Sequence, residues 1–314
     1  MLSMRRLETP NHRKEGCKTR MSYRDLYLTP APRVTSIKEG KPPIVEILGV
    51  PFDATSTYRL GSKFGPEALR ESFLNIEIFS SRLNVDLEEL SVEDLGNMSQ
   101  MGDAAQMTDA LGKVVLEISE GEQASAVLGG EHTLSYATFK AAPKDAALIV
   151  FDAHLDLRDE FAGLRFSHTT WLRRFIEERG AKNVIHIGSR AAAKDEVTYL
   201  NEVGVATIPT RTILATQRAE MLLADLLKDF NRVYVSLDLD ILDPAYAPGV
   251  GNPEAAGIST AQLLEFLYIL EGKEILGFDI VELCPAYDTG AAAAAASKCL
   301  LELTCLAHLG KTKK

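Results

Sequence analysis

The feature that most constrains the fold of this chain is a short apolar segment that ends abruptly in polar residues. Residues 147–151 read Ala-Leu-Ile-Val-Phe and lead directly into Asp152, His154 and Asp156. A short, apolar and partly β-branched run is typical of a buried strand in a parallel sheet. Alternate residues of a strand share one face, so a backbone that stays extended points the three polar side chains the same way. Open α/β sheets bind their ligands at this end of their strands.

The polar residues that follow this strand favour a divalent cation. Two carboxylates with one imidazole between them form an oxygen-rich, anionic donor set. A single aspartate at a strand end more often caps the following helix. Three alternating polar residues are better explained as metal ligands.

A second segment repeats this pattern. The apolar residues Val233–Leu237 end in Asp238 and Asp240, again two positions apart. Carboxylates crowded together in a low dielectric repel one another strongly unless cations lie between them. Two divalent cations balance the charge of four aspartates, which predicts a two-metal site. The four aspartates are Asp152, Asp156, Asp238 and Asp240.

A third segment adds a histidine. An apolar run from Ala124 leads into Gly129 and Gly130, which permit a tight turn, and then into His132. A histidine in this position is, taken alone, more often not a ligand. Beside the other two segments, His132 is predicted to be one.

Strand and helix signals alternate from about residue 44 onward. This alternation predicts an α/β fold with three α/β/α layers and a mostly parallel sheet. No convincing repeat or linker interrupts it, so residues 21–314 are predicted to form a single domain. The predicted strands span residues 44–50, 124–128, 147–152, 183–188, 204–208, 232–238 and 275–281. The predicted helices span residues 66–75, 107–120, 133–140, 169–179, 217–229, 260–271 and 289–306.

Composition excludes several other classes of function. The 314-residue chain has a formal net charge of -10, which argues against a nucleic-acid partner. Residues 1–20 are polar and basic and predict a disordered tail rather than a signal peptide or membrane anchor. No stretch is expected to span a membrane. The cysteines lack zinc-finger spacing and predict free thiols, three of them buried, in a reducing, cytoplasmic setting. They are Cys17, Cys284, Cys299 and Cys305.

Five segments of the chain together resemble one known family. They read Gly49-Val-Pro-Phe-Asp, Gly129-Gly-Glu-His-Thr, Phe151-Asp-Ala-His-Leu-Asp, Ser236-Leu-Asp-Leu-Asp-Ile-Leu-Asp-Pro and Asp279-Ile-Val-Glu-Leu-Cys-Pro. In this order they are similar to the signature segments of the arginase/agmatinase (ureohydrolase) family, and most similar to its archaeal-type agmatinase branch. The family more often has Asp where this chain has Glu131. The resemblance implies the arginase/deacetylase-like fold.

The resemblance also implies a ligand set for two Mn²⁺ ions per subunit. Asp152 and Asp238 would bridge the two ions. No thiolate is among the ligands, as expected for Mn²⁺. The first ion would take His132, Asp152, Asp156 and Asp238, and the second would take Asp152, His154, Asp238 and Asp240.

Three residues match the catalytic positions of the family. Glu282 would hold the guanidinium group of the substrate, His168 would transfer a proton beside it, and Asp156 would contact the hydroxide that bridges the metals. Two metals close together lower the pKa of a shared water, and the hydroxide can attack the guanidinium carbon. Taken alone, Glu282 is more often the partner of a salt bridge, and His168 more often faces solvent at a helix start.

The implied reaction converts agmatine and water into putrescine and urea, a step in polyamine biosynthesis. The loop after Asp156 lacks the Asn- and Ser-bearing pattern with which arginases hold a carboxylate. It carries Asp159 and Glu160, which are predicted to bind the amine end of the substrate. Arg158 argues instead for a substrate that ends in a carboxylate, because the two can form an ion pair. Aminopropylagmatine, guanidinobutyrate and arginine therefore stay open as substrates.

Two further alternatives stay open. A deacetylase on the related fold uses one zinc ion with fewer aspartates, and His132 with Asp156 argues against it. A regulatory relative without catalysis is disfavoured because the ligand set, Glu282 and His168 are all present. The resemblance also suggests a homotrimer or homohexamer.

Overall fold

A nine-stranded sheet runs through the centre of the protein in this computed structural model, which describes residues 22–30, 34–216 and 218–312. The described strands are β1 (Leu28–Thr29), β2 (Val45–Val50), β3 (Phe79–Ser80), β4 (Val85–Asp86), β5 (Val92–Met98), β6 (Ala124–Gly129), β7 (Ala147–Phe151), β8 (Val184–Ile187), β9 (Ala206–Ile208), β10 (Arg232–Asp238) and β11 (Glu274–Val281). The spatial order is β1-β5-β2-β6-β11-β10-β7-β8-β9, while β3 and β4 form a separate pair. Only the β1–β5 pairing within the described nine-stranded sheet is antiparallel. The predicted mostly parallel sheet is confirmed.

Helices cover both faces of this sheet. On one face the residues Leu69 and Leu300 share an apolar cluster with Ile47 of β2. The next residue of β2, Leu48, packs with Leu111 in a different cluster on the other face. The helices are α1 (Tyr23–Tyr27), α2 (Gly65–Phe73), α3 (Ala104–Glu120), α4 (Ser135–Ala141), α5 (Trp171–Arg179), α6 (Lys194–Val203), α7 (Thr210–Ala215), α8 (Ala219–Leu227), α9 (Thr260–Tyr268) and α10 (Ala291–Thr312). Because all these clusters share one sheet, we propose that residues 21–314 form one domain.

The sequence patterns do not predict β5, α6 or α7. Strand β5 reads Val-Glu-Asp-Leu-Gly-Asn-Met, which has too many polar residues for a buried strand. Its Asp94 is fully buried because the guanidinium of Arg70, on α2, pairs with it at 2.8 Å. A contact between distant segments thus allows a polar sequence to form a strand, and short-range periodicity does not detect such contacts.

Helix α10 corrects one expectation. It is long and apolar enough to span a membrane by length and composition, although no such stretch was expected. Most of it is buried, and it packs against β11 and α2, so the demands of the core account for its composition. Cys284, Cys299 and Cys305 are buried free thiols, as predicted. Cys17 and the predicted tail, residues 1–20, lie outside the described residues.

Candidate metal centre and substrate cavity

Four neighbouring strands deliver the candidate site residues to one edge of the sheet. In spatial order these strands are β6, β11, β10 and β7, and they run parallel. His132 follows β6, Glu282 follows β11, Asp238 ends β10 and Asp152 follows β7. Their carboxyl ends therefore meet, although the residues are up to 150 positions apart in the chain.

His132 lies at the centre of a first group of donors. Its Nδ1 is 3.0 Å from Asp152 Oδ2, 3.3 Å from Asp156 Oδ2 and 3.2 Å from Asp238 Oδ2. All four residues are buried. One imidazole nitrogen thus faces three carboxylates, the arrangement that the ligand set of the first ion requires.

His154 forms a second group beside the first. Its Nδ1 is 2.8 Å from Asp240 Oδ2 and 3.6 Å from Asp152 Oδ1. One donor atom from each of His132, Asp152 and Asp156 lies within 4.8 Å of the others, and the same holds for Asp152, His154 and Asp240. Asp152 belongs to both groups, as expected of a carboxylate that bridges two cations.

The chemistry of these donors fits divalent cations. His132 Nδ1 and Asp152 Oδ2 are buried without a hydrogen-bond partner, an arrangement that costs free energy unless another group satisfies them. The donor set combines hard carboxylate oxygens with two imidazoles and no thiolate. These residues are therefore able to hold the two ions that the sequence predicts.

The electrostatics of the cluster lead to the same conclusion. Burial raises the pKa of Asp152 to about 6, and Asp240 and Asp156 add to the shift. Burial, Asp240 and Asp152 likewise raise the pKa of Asp238 well above its ordinary value. Burial opposes charge on His132, but the three carboxylates that face its Nδ1 outweigh this and raise its pKa well above its ordinary value. Without cations, the crowding thus favours the protonated forms of Asp152, Asp238 and His132, whereas His154 outweighs burial at Asp240 and lowers its pKa.

The backbone reaches this geometry differently from the expected extended path. Strand β7 ends at Phe151, and Asp156 has a positive φ of 53°, so the alternation does not continue through Asp156. The amide of His154 instead donates to Asp152 Oδ1 at 2.6 Å, which turns the chain. Trp171 Nε1 donates to Asp156 Oδ2 at 2.7 Å and holds that carboxylate against His132. The positive φ of Asp156 is strained for a non-glycine residue, and such backbone strain is concentrated at functional sites.

Glu282 is held beside the metal cluster. Its φ is 66°, and its Oε1 accepts a hydrogen bond from the His132 amide at 2.9 Å. Burial raises the pKa of Glu282 to about 8, and the nearby Glu131 carboxylate adds to the shift. A Cβ on Gly251 would lie 2.6 Å from Glu282 Oε2, so a larger residue at position 251 would require the Glu282 carboxylate to shift. Among the described residues no lysine or arginine pairs with Glu282, so a cationic ligand would stabilise its ionised form.

His168 lies in the same cavity and does not face solvent. Its Nδ1 is 3.7 Å from Glu282 Oε1, and its Nε2 is 3.1 Å from Thr57 Oγ1. The His168 amide donates to Thr55 Oγ1 at 3.1 Å. Burial lowers the pKa of His168, against the opposing effect of Asp156 and Glu131. A lowered pKa favours the neutral imidazole, which can accept a proton at one ring nitrogen and donate one from the other.

A cavity of about 310 Å³ encloses these groups. A larger groove of about 930 Å³ lies between α3, α4 and α5, and none of the aspartates or histidines of the metal cluster lines it, so chemistry rather than size identifies the site. Sequence reasoning missed Thr57, Glu196, Asn252 and Glu254 in its wall. The lining residues are Thr57, His132, Asp152, His154, Asp156, Arg158, Phe161, His168, Thr169, Ala191, Ala192, Glu196, Asp238, Asp240, Asn252, Glu254 and Glu282.

The structure does not bring Asp159 and Glu160 into this cavity. Asp159 is exposed, and its Oδ1 is 2.7 Å from Arg174 Nη2 and 3.1 Å from Arg165 Nη2. These arginines lower the pKa of Asp159. Glu160 is also exposed and does not line the cavity. The expectation that the two residues bind the amine end of the substrate has no support from their positions.

Comparisons with known proteins agree with this geometry. Residues 44–305 match the arginase family. The chain belongs to the arginase family. It is similar to an agmatinase of Bacillus cereus, with 37% identity over 259 residues that cover 81% of this chain and 87% of the relative. An N(1)-aminopropylagmatine ureohydrolase of Thermococcus kodakarensis is 34% identical over 240 residues, 75% of this chain and 81% of the relative.

Solved structures of the family share the fold. The agmatine ureohydrolase of Thermoplasma volcanium superposes with a TM-score of 0.81 at 30% identity, covering 86% of this chain and 92% of that chain. The protein is therefore an enzyme of the agmatinase-like ureohydrolase type, and membership supports hydrolysis of a guanidino compound. The family depends on two metal ions, in agreement with the two donor groups.

Proposed function

We propose that this protein hydrolyses agmatine to putrescine and urea with two Mn²⁺ ions per subunit. The observation that carries the proposal is that one cavity contains two carboxylate–histidine donor groups together with Glu282 and His168. A metal pair alone would fit many hydrolases. A buried carboxylate that no described lysine or arginine pairs with favours a cationic guanidinium.

We assign the ligands as the family resemblance implies, and Asp152 and Asp238 would then serve both ions. When bound, the ions lower the pKa of water between them and so supply a nucleophile near neutral pH. The first ion would take His132, Asp152, Asp156 and Asp238, and the second would take Asp152, His154, Asp238 and Asp240. Carboxylate-rich ligation suits Mn²⁺.

The side chains of the protein then orient the reaction and move its protons. Glu282 binds the guanidinium by charge-assisted hydrogen bonds and holds its carbon next to the metal cluster. Water adds to that carbon, and the bond from carbon to the substituted nitrogen breaks. Asp156 would take one proton from the attacking water and pass it to the leaving nitrogen, and His168 would carry the proton of the added hydroxyl to the same nitrogen, so both protons of the water end on the amine. The products are urea and the amine.

The far end of the substrate lies against residues 252–254 in this proposal. Glu254 Oε1 is 3.8 Å from His154 Nε2 and is partly exposed in the cavity wall, where a cationic tail can pair with it. Arg158 also lines the cavity and could pair with a substrate that ends in a carboxylate. Its Nε, however, is already 3.8 Å from Glu196 Oε2. Arg158 is thus partly neutralised, which favours the amine of agmatine over the carboxylate of arginine.

Other guanidino substrates are the alternatives. Aminopropylagmatine keeps the cationic tail and is the substrate named for the Thermococcus relative. Guanidinobutyrate or arginine would be favoured if Arg158 leaves Glu196 to bind a carboxylate. We further propose that the protein is cytoplasmic and forms a homotrimer or homohexamer. Size-exclusion chromatography with light scattering measures the mass of the oligomer.

Urea release tests the proposed function. The purified protein is incubated with agmatine, aminopropylagmatine, guanidinobutyrate and arginine, after chelation and after addition of Mn²⁺. We expect release from agmatine only with the metal, and the highest kcat/KM for agmatine. A preference for arginine or guanidinobutyrate would assign Arg158 to a carboxylate tail. No release from any of the four with metal bound would support the regulatory alternative.

A further inference from the structure

Glu131 is fully buried and precedes the candidate ligand His132 in the chain, and its carboxylate bonds to Thr55, Ser56 and Thr133. Its carboxylate accepts four hydrogen bonds. The Thr55 amide donates to Oε2 at 2.7 Å, and the Thr55 hydroxyl donates to Oε1. The hydroxyls of Ser56 and Thr133 donate at 3.3 Å and 2.5 Å. Glu131 thus ties the turn after β6 to the loop after β2.

The same loop holds His168. Thr55 Oγ1 accepts a hydrogen bond from the His168 amide at 3.1 Å, and Thr57 Oγ1 lies 3.1 Å from His168 Nε2. The Thr55 hydroxyl has one proton, and that proton points to Glu131. Its lone pairs are therefore free to face the His168 amide.

The backbone fixes the origin of this connection. The Glu131 amide donates to the Phe52 carbonyl at 2.8 Å, and the Gly130 amide donates to the Val50 carbonyl at 2.9 Å. A Cβ on Gly130 would lie 1.9 Å from the Phe52 oxygen, so the two chains are in direct contact. The carboxylate of Glu131 therefore projects from a rigid base.

We propose that Glu131 is a positioning residue that fixes His168 beside the substrate through Thr55. An ionised carboxylate only accepts hydrogen bonds, so it sets the direction of the Thr55 hydroxyl. An amide in its place can also donate, and the hydroxyl can then rotate away from the orientation that receives the His168 amide. This inference rests on the proposed function, because His168 must transfer a proton for its position to matter.

Glu131→Gln tests the charge and direction of the connection at almost constant volume. We expect kcat to fall about ten- to hundredfold, the scale of one charge-assisted hydrogen bond, while KM changes less than about twofold. Mn²⁺ content, measured by atomic emission, stays at the wild-type value. Thr55→Val removes the hydroxyl at similar size and should reproduce the loss of kcat. Thr55→Ser keeps the hydroxyl and should retain most of the wild-type kcat.

The deciding comparison uses His168→Asn, which we expect to keep its metals and lose about 10²–10⁴-fold in kcat. In that background Glu131→Gln should cause no further loss, because its route to the reaction is already absent. An equal loss in both backgrounds would show that Glu131 acts on the whole site, and the inference would be wrong. Unchanged kcat in Glu131→Gln alone would also overturn it. Failure of the wild-type protein to release urea would instead refute the proposed function.

Discussion

Two buried clusters of charge in this protein are organised in opposite ways. In the first, Arg70 and Asp94 are both fully buried, and Arg70 donates to Asp94 Oδ2 and Oδ1 at 2.8 and 2.9 Å. Its remaining donors reach Asn97 Oδ1 at 2.6 Å and the Gly96 carbonyl at 2.9 Å. The charge of each partner is balanced inside the chain.

The second cluster is the candidate metal centre, where four aspartates surround two histidines. Among the described residues, no lysine or arginine forms an ion pair with these aspartates. Two of its buried atoms, His132 Nδ1 and Asp152 Oδ2, have no hydrogen-bond partner. Its charge must be balanced from outside the chain.

The difference shows what makes a buried charge cluster functional. A buried ion pair with complete hydrogen bonding needs nothing more and positions the elements that carry it. An incomplete anionic cluster is costly until cations bind, and their binding then contributes to the stability of the folded state. The two clusters should therefore respond in opposite ways to loss of one charged residue.

The largest expected effect is that of Asp238→Ala in the metal centre. Activity should fall below detection and metal content should drop, because one shared carboxylate between the ions is lost. The stabilisation that wild type gains from metal at 100 times its Kd, about 2.7 kcal/mol, should disappear in thermal unfolding. In metal-free protein, Asp238→Asn should unfold no earlier than wild type, since one source of repulsion is gone. Near-normal activity with full metal occupancy would contradict the two-metal assignment.

A smaller effect, and on stability alone, is expected of Arg70→Met. Removal of the cation leaves Asp94 buried and unpaired, which costs about 3–5 kcal/mol in the free energy of unfolding. Denaturant titration measures this loss, while metal content and kcat of the folded fraction stay constant. Adding Asp94→Leu should recover much of the stability, because an apolar pair replaces the isolated charge. No recovery would show that Asp94 serves β5 by its other contacts, such as the Val34 amide.

The smallest effect sharpens the boundary of the metal centre. Glu254→Gln should raise KM for agmatine about five- to tenfold, roughly 1 kcal/mol for a partly exposed charge pair. KM for butylguanidine, which lacks the cationic tail, should stay constant, and so should metal content. The matched control is Asp159→Asn outside the cavity, with a change below about twofold. Equal effects on both substrates would assign Glu254 to the support of His154 rather than to the tail.

Local patterns predict the candidate site better than its surroundings. Ten or twelve consecutive residues suffice to recognise β7 or β10 and the polar residues that follow it. These residues are then expected to meet, because the carboxyl ends of parallel strands lie at one edge of the sheet. The position of Asp159 cannot be read in this way. Its loop turns outward after Asp156, and the arginines of α5 hold it there.

By itself, the sequence determined the alternating α/β architecture, the donor residues at the strand ends and the family. These depend on hydrophobic periodicity and on motifs of a few residues. Only the tertiary structure decided that Asp156 takes a left-handed conformation, that Glu254 rather than Asp159 lines the cavity, and that Glu131 reaches His168 through Thr55. In the last of these, Thr55 lies 76 positions from Glu131 and 113 positions from His168 in the chain. Such contacts depend on how whole elements pack, and no local pattern encodes them.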